Sequence, residues 1–147
     1  MRLISGDIDK QYFIFTLGKR YFGVSIREVV KVITVNKVFT IPFLEDYFLG
    51  FILHEGKPVP FMSLKNRIGL PGKENGTVAL LVFVGTELLG LSIDTNYQVI
   101  QLVQEPLGLP SDFKGAIKRF FKARGILDNQ TFIILNIPTL ASTESFQ

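Results

Sequence analysis

Short apolar runs rich in Val, Ile, Phe and Tyr recur along almost the whole chain, and Gly, Pro, Asn or Asp often lies beside them. Runs of this length and composition read as β-strands, because branched and aromatic side chains pack well on a pleated surface. The candidate strands are Tyr12–Leu17, Arg20–Val24, Val29–Val35, Val38–Ile41, Gly50–Leu53, Pro58–Met62, Thr77–Val84, Leu88–Ile93, Tyr97–Val103 and Phe132–Ile137. Gly18-Lys19 and Gly85-Thr86 read as tight hairpin turns. Strands this closely spaced point to barrels or a sandwich rather than to helix-linked parallel strands.

Helix is scarce. Ser25-Ile26-Arg27-Glu28 has capping-box spacing and marks one helical turn. A second short turn is expected over Leu64–Ile68. Phe113, Ile117, Phe120 and Phe121 follow helical spacing after a candidate cap at Ser111, so a short helix is expected from Ser111, with extended chain from about Phe121. The segment Gly69-Leu70-Pro71-Gly72-Lys73-Glu74-Asn75-Gly76 is the best linker and divides the strands into two groups. No internal sequence repeat is visible.

Apolar residues make up 47% of the 147, with 14 Phe and no Trp. That is too hydrophobic for a disordered chain. The longest apolar run, Val78 to Val84, is far short of the roughly 18 residues that span a membrane. Residues 1–7 hold no apolar stretch of signal-peptide length, so a cytoplasmic location is expected. Small barrels have limited interiors, so the apolar surplus is expected to pack between subdomains or to form a contact surface.

The inventory of chemically active groups is poor. There is no cysteine, which excludes disulfides and thiolate sites. His54 is the single histidine, and strand neighbours such as His54 and Glu55 are expected to point to opposite faces. Glu45-Asp46 is the only adjacent acidic pair and reads as a solvated loop. Pro71-Gly72-Lys73 lacks the upstream Gly of a phosphate loop, and Glu74 stands where Ser or Thr is required. These absences argue against an enzyme, and no metal or cofactor is expected. Lys114, Lys118, Arg119, Lys122 and Arg124 form a basic cluster. It reads first as a solvated face, and second as a patch for nucleic acid or an acidic partner.

The order of several short segments goes further. Tyr21-Phe22-Gly23-Val24-Ser25-Ile26 with Val29, then Ile41-Pro42, Gly50-Phe51-Ile52 and Gly56-Lys57-Pro58-Val59-Pro60 occur in the first half. Leu64 and Arg67-Ile68-Gly69-Leu70 follow. Gly90-Leu91-Ser92-Ile93-Asp94, Val99, Gly125-Ile126-Leu127-Asp128 and Ile133-Ile134-Leu135-Asn136-Ile137 complete the series. Together, over about residues 10 to 141, they resemble the CheW-like domain family.

The resemblance implies an all-β fold of two packed, five-stranded SH3-like barrels with one or two short helices. The whole chain 1–147 would be one such domain. The first barrel would take about residues 18–70, and the second residues 10–17 and 77–141. It implies a non-enzymatic adaptor of bacterial chemotaxis-type signalling that couples a CheA-type histidine kinase, through its regulatory domain, to the cytoplasmic tip of chemoreceptors. It implies neither nucleic acid nor direct membrane insertion, and a cytoplasmic protein recruited to receptor arrays. Carried onto this chain, the kinase-binding residues are Phe39, Ile41, Phe43, Leu44 and Gly50, and the receptor groove is lined by Val24, Ile26, Val29 and Val99.

There are departures from the family pattern. Glu55 stands in place of an Arg, Lys31 in place of a common Glu, Glu45 in place of a Pro, Ser63 in place of an Asp, and Asn96 at an apolar position. Two charge reversals suggest that Lys31 and Glu55 form a polarity-swapped ion pair. The rival reading is a basic barrel module that binds single-stranded nucleic acid.

Overall fold

The structure is a computed structural model that describes residues 7–74, 76–111 and 115–142. Its strands are β1 (Gln11–Leu17), β2 (Arg20–Ser25), β3 (Val29–Thr34), β4 (Phe48–His54), β5 (Lys57–Ser63), β6 (Val78–Val84), β7 (Glu87–Ser92), β8 (Tyr97–Gln101), β9 (Phe121–Leu127) and β10 (Gln130–Leu135). Two short α-helices follow strands, α1 (Leu64–Ile68) after β5 and α2 (Ile137–Ala141) after β10. The strands form two five-stranded sheets, ordered β8-β1-β2-β10-β9 and β3-β6-β7-β5-β4. The mostly-β expectation of two packed five-stranded units therefore holds. We call the first sheet the terminal lobe, because both ends of the chain build it, and the second the central lobe.

The strands divide between the lobes differently from the expected partition, 18–70 against 10–17 with 77–141. β2 belongs with β1, because Gly18-Lys19 closes a two-residue hairpin that sets Leu17 opposite Arg20. The linker 69–76 joins β5 to β6 within one sheet and does not separate the lobes. The chain instead enters the central lobe through a single 3-10 turn at Ile26–Glu28, capped by Ser25, and leaves it after β7.

Although no repeat is visible in the sequence, the two lobes have the same topology. Each has an antiparallel hairpin (β1–β2, β6–β7) and a second hairpin (β9–β10, β4–β5), and the two are joined by a short parallel pairing, β10 with β2 and β5 with β7. In each lobe a link from one outer strand reaches the free edge of the other. Phe39 bridges Phe51 on β4, and Leu107 bridges Arg124 on β9. In both lobes the second hairpin is followed by a short helix capped by a side chain, Ser63 for α1 and Asn136 for α2.

Alternation along the strands explains the apolar surplus. Phe13, Phe15, Leu17, Phe22 and Val24 of the terminal lobe join Met62, Leu80, Val82, Leu89 and Leu91 of the central lobe in one buried cluster. The residues between them point the other way. Ile14, Ile100, Leu102, Phe132 and Ile134 fill the terminal lobe, and Ile52, Val59, Phe61, Ala79 and Leu81 fill the central lobe. The inner strands are thus buried on both faces, which requires unbroken apolar runs such as Val78–Val84 instead of alternation with polar residues.

Local chemistry sets the turns. Asp128-Asn129 and Glu55-Gly56 close two-residue hairpins with positive φ at both positions, the geometry that matches the twist of the flanking strands. Glu55 is therefore at a turn, not on a strand, and its Oε1 comes within 3.6 Å of His54 Nε2. This reverses the expectation that the two side chains diverge. Val38–Ile41 forms no strand beyond the single bridge at Phe39, because Pro42 and a positive φ at Phe43 turn the chain away. The helix expected from Ser111 is a 3-10 turn at Ala116–Phe120, since Gly115 sits at φ +81 and interrupts helical geometry. Phe113 and Lys114 lie outside the described residues. The extended chain from Phe121 is β9, as expected.

Phe132 is 1% exposed and lies between two glycines on neighbouring strands. A Cβ at Gly23 would stand 2.8 Å from its ring, and one at Gly125 would collide with the ring. Both positions need glycine for space. Gly125→Ala is expected to destabilise the chain by about 1–3 kcal/mol through overpacking. Urea unfolding measures this, and the companion change Phe132→Leu should offset part of the loss.

Candidate functional site

The surface of the central lobe carries a recess of ≈ 280 Å³ lined by Ile41, Leu44, Glu45, Phe48, Gly50, Phe51 and Pro60. β4 and β5 form its floor, through the register pair Phe51↔Pro60. The loop between β3 and β4 forms its rim. Phe39 donates to and accepts from Phe51 at 2.8 Å through the backbone, and the two rings stack at 5.3 Å. That bridge anchors the loop. Gly50 is held at φ +141, where a Cβ would collide with the Phe39 carbonyl, so the loop lies against β4 more closely than any side chain permits.

Phe43 tops this loop. It is fully exposed at 102%, and its φ is +67. A bulky residue with positive φ is a backbone outlier that costs of order 1 kcal/mol. Complete exposure means that no packing of the ring offsets the strain. Ile41 is also half-exposed, at 50%.

Of the kinase-binding residues expected from sequence, Ile41, Leu44 and Gly50 line the recess, Phe43 stands exposed in the same loop, and Phe39 anchors that loop. Sequence reasoning missed Phe48, Phe51 and Pro60. The signal was present in Phe51 and Pro60, whose partners in alternation, Ile52 and Val59, are core. Reading it required the β4–β5 register.

The four residues expected to line a receptor groove are brought together but not exposed alike. Val24 and Val99 stand on either side of Phe13 in register across β2, β1 and β8. Val24 is 0% exposed and Ile26 7%, both in the cluster shared by the lobes. Val29 and Val99 are half-buried against it. Val24 and Ile26 therefore cannot line an open groove as expected, because they hold the two lobes together.

The expected Lys31–Glu55 ion pair is not formed. Lys31 lies on the outer strand β3 opposite Leu81, and Glu55 sits at the tip of the β4–β5 hairpin against His54.

Charges at the junction of the lobes are organised differently. The Arg67 guanidinium lies over the rings of Tyr47 and Phe120, at 4.1 and 4.7 Å, and donates to the carbonyls of Leu140 and Ser142 at 3.0 and 2.6 Å. It joins α1 of the central lobe to α2 of the terminal lobe, and burial lowers its pKa. The Glu74 carboxylate accepts from the Ser63 and Ser92 hydroxyls and from the Lys65 N–H, which holds Glu74 against the sheet. Ser63, a departure from the family pattern, thus has a defined structural role. Among the described residues, no three His, Asp or Glu side chains stand close enough to share a metal ion.

The sequence pattern of the CheW-like domain matches residues 11–145, nearly the whole chain. The chain belongs to the CheW-like family. This is a family of scaffold and adaptor proteins of chemotaxis and not of enzymes. The chain is 23% identical over 146 residues to the chemotaxis protein CheW of Klebsiella aerogenes, across 97% of this chain and 88% of that one. The crystal structure of the scaffolding protein CheW from Thermoanaerobacter tengcongensis aligns with a TM-score of 0.81 at 22% identity. That alignment covers 90% of this chain and 92% of the other, and it shows the shared fold. Within the CheW-like domain, the recess belongs to the central lobe and Val99 to the terminal lobe.

Glu28 ends the crossing turn between the lobes. Its Oε1 is buried without a hydrogen-bond partner and lies 3.9 Å from Lys122 Nζ, too far for a hydrogen bond. Burial raises its pKa, and Lys122 offsets this only in part. A carboxyl whose folded pKa is raised gives up stability as pH rises from the unfolded value through the folded one. Glu28→Gln is therefore expected to raise the melting temperature at neutral pH and to leave it unchanged below about pH 4, near the unfolded carboxyl pKa. Calorimetry across that range reads the difference.

Proposed function

We propose that this chain couples a CheA-type histidine kinase to chemoreceptors as a cytoplasmic adaptor, and that the central-lobe recess receives the kinase's regulatory domain. One observation carries the assignment of the surface. Phe43 is a fully exposed aromatic held at a strained φ beside an apolar recess. Strain kept at a solvent-exposed ring serves nothing in the free chain, whereas an aromatic beside an apolar pocket is a common anchor of protein interfaces. The recess is apolar apart from Glu45, which suits a partner with an apolar projection.

The strain also separates binding from folding. Phe43→Gly relieves the positive φ and should leave stability unchanged or raise it by up to about 1 kcal/mol. The same change should weaken binding of a CheA-type regulatory domain by about tenfold or more, as loss of a central aromatic anchor does. Leu44→Asp should weaken it further. Titration calorimetry with that domain is the measurement, and full affinity in a folded Phe43→Gly chain would move the kinase contact elsewhere. Gly50→Asp is no substitute, because it breaks the Phe39–β4 contact and confounds folding with binding.

The receptor contact is proposed at Val29 and Val99, the half-buried members of the groove set, with Val24 and Ile26 supporting them from within. An amphipathic receptor helix would lay its apolar side there. Val99→Glu is expected to abolish binding of a receptor-tip peptide hairpin and to spare kinase-domain binding, both read by calorimetry. Loss of both together would indicate unfolding instead.

A further inference from the structure

We propose that the terminal lobe carries a second docking site, a cationic cleft that binds an acidic peptide segment of a partner protein. The cleft has a volume of ≈ 350 Å³ and is lined by Lys19, Arg20, Tyr21, Pro110, Arg124, Gln130, Thr131 and Ile133. Three of these are cations and none is an acid.

Its position follows from the fold. β2 and β10 run parallel but register at only two pairs, Ile133↔Phe22 and Ile134↔Gly23. Towards their N-terminal ends, at Arg20 and Thr131, the strands are no longer paired, and the cleft opens there. The Gly18-Lys19 hairpin places two of the cations on one side of it. β9, opposite Ile133 through Arg124, supplies the third. The link residue Leu107 holds Arg124 in place through paired backbone hydrogen bonds of 2.9 Å.

This is the counterpart of the apolar recess in the other lobe. Arg124 pairs with Ile133 and is bridged by the link at Leu107, just as Phe51 pairs with Pro60 and is bridged by the link at Phe39. The two lobes thus present the same concave feature with opposite chemistry, Phe51 at one and Arg124 at the other.

The charges are available for a ligand. Lys19, Arg20 and Arg124 take part in no ion pair among the described residues, and Arg124 Nε is buried without a hydrogen-bond partner. Two further cations of the basic stretch are otherwise engaged. Lys122 faces Glu28, and Arg119 lies over the Phe120 ring and donates to the Ala116 carbonyl. A guanidinium and two further cations around one cleft match carboxylates. Single-stranded nucleic acid fits less well. It needs a row of stacking platforms, and the cleft offers the single half-buried ring of Tyr21, while Phe120 and Phe121 are buried at 2% and 8%.

Chemical-shift mapping of the full chain with hexaglutamate, hexaglutamine and a hexathymidine oligonucleotide at low salt tests this. Hexaglutamate should shift the amides of residues 19–21, 124 and 130–133, fade with added salt, and leave Lys118 and Lys122 unmoved. Hexaglutamine should shift none. The exposed double change Lys19→Gln with Arg20→Gln, and separately Arg124→Gln, should each weaken hexaglutamate by about tenfold. Shifts spread evenly over every basic residue, or unchanged affinity in the exposed double variant, would overturn the site. Tighter binding of hexathymidine at the same amides would overturn the acidic-peptide assignment in favour of nucleic acid.

Discussion

Burial of the inner strands on both faces is the constraint from which the rest of this structure follows. A small sheet that curls around its own side chains has one inside and one outside. Here the outside of each lobe is also covered, by the other lobe. Phe13 and Phe15 face the partner lobe while Ile14 between them faces inward, and Leu80 and Val82 do the same against Ala79 and Leu81. Each buried aliphatic or aromatic side chain contributes about 1.5–3 kcal/mol relative to exposure, before chain entropy is set against it. Neither lobe can keep that surface dry alone. Arg67, with an aromatic ring from each lobe and two carbonyls at the C-terminal end of α2, adds a polar fastening at the rim of the same contact.

What remains for partners is set by what this core does not use. The joined faces are consumed, so contact surfaces lie on the edges and loops. In each lobe, a link runs back to the free edge of an outer strand and leaves a concavity beside it. The central lobe fills its surroundings with Phe48, Phe51 and Pro60, and the terminal lobe with Arg124 and the Lys19-Arg20 hairpin. A scaffold without catalytic groups works through such surfaces, and its specificity depends on how rigidly they are held. Close contact at Gly50 and the Phe39–Phe51 stacking give that rigidity to the apolar one.

Much of this was legible in the sequence. Branched and aromatic runs located nearly every strand, and the hairpins at Gly18-Lys19 and Gly85-Thr86 fall where expected, as do the turns at Ser25 and Leu64. The order of short motifs identified the family, and three of the five residues expected to contact a kinase line one recess. The partition of strands between lobes was not legible, because it depends on the parallel pairings β2–β10 and β5–β7 between segments far apart in sequence. Nor was the burial of Val24 and Ile26, since a strand apolar on both faces gives no signal of which face is covered. α2 was missed although Asn136 caps it and Pro138 sits in its first turn, because the apolar run ending at Ile137 reads as strand. The Lys31–Glu55 pair was expected on a family likeness that would bring the two positions together, whereas Lys31 stands on β3 and Glu55 at the β4–β5 turn, against His54.

If the shared cluster makes the lobes one structure, they should open together. Native-state amide hydrogen exchange under mild denaturant measures this directly. The account predicts that the slowest amides of β1 and β2 and those of β6 and β7 exchange through a single opening, with one common free energy and the same denaturant dependence. Two separate openings, with one lobe exchanging while the other stays protected, would contradict it.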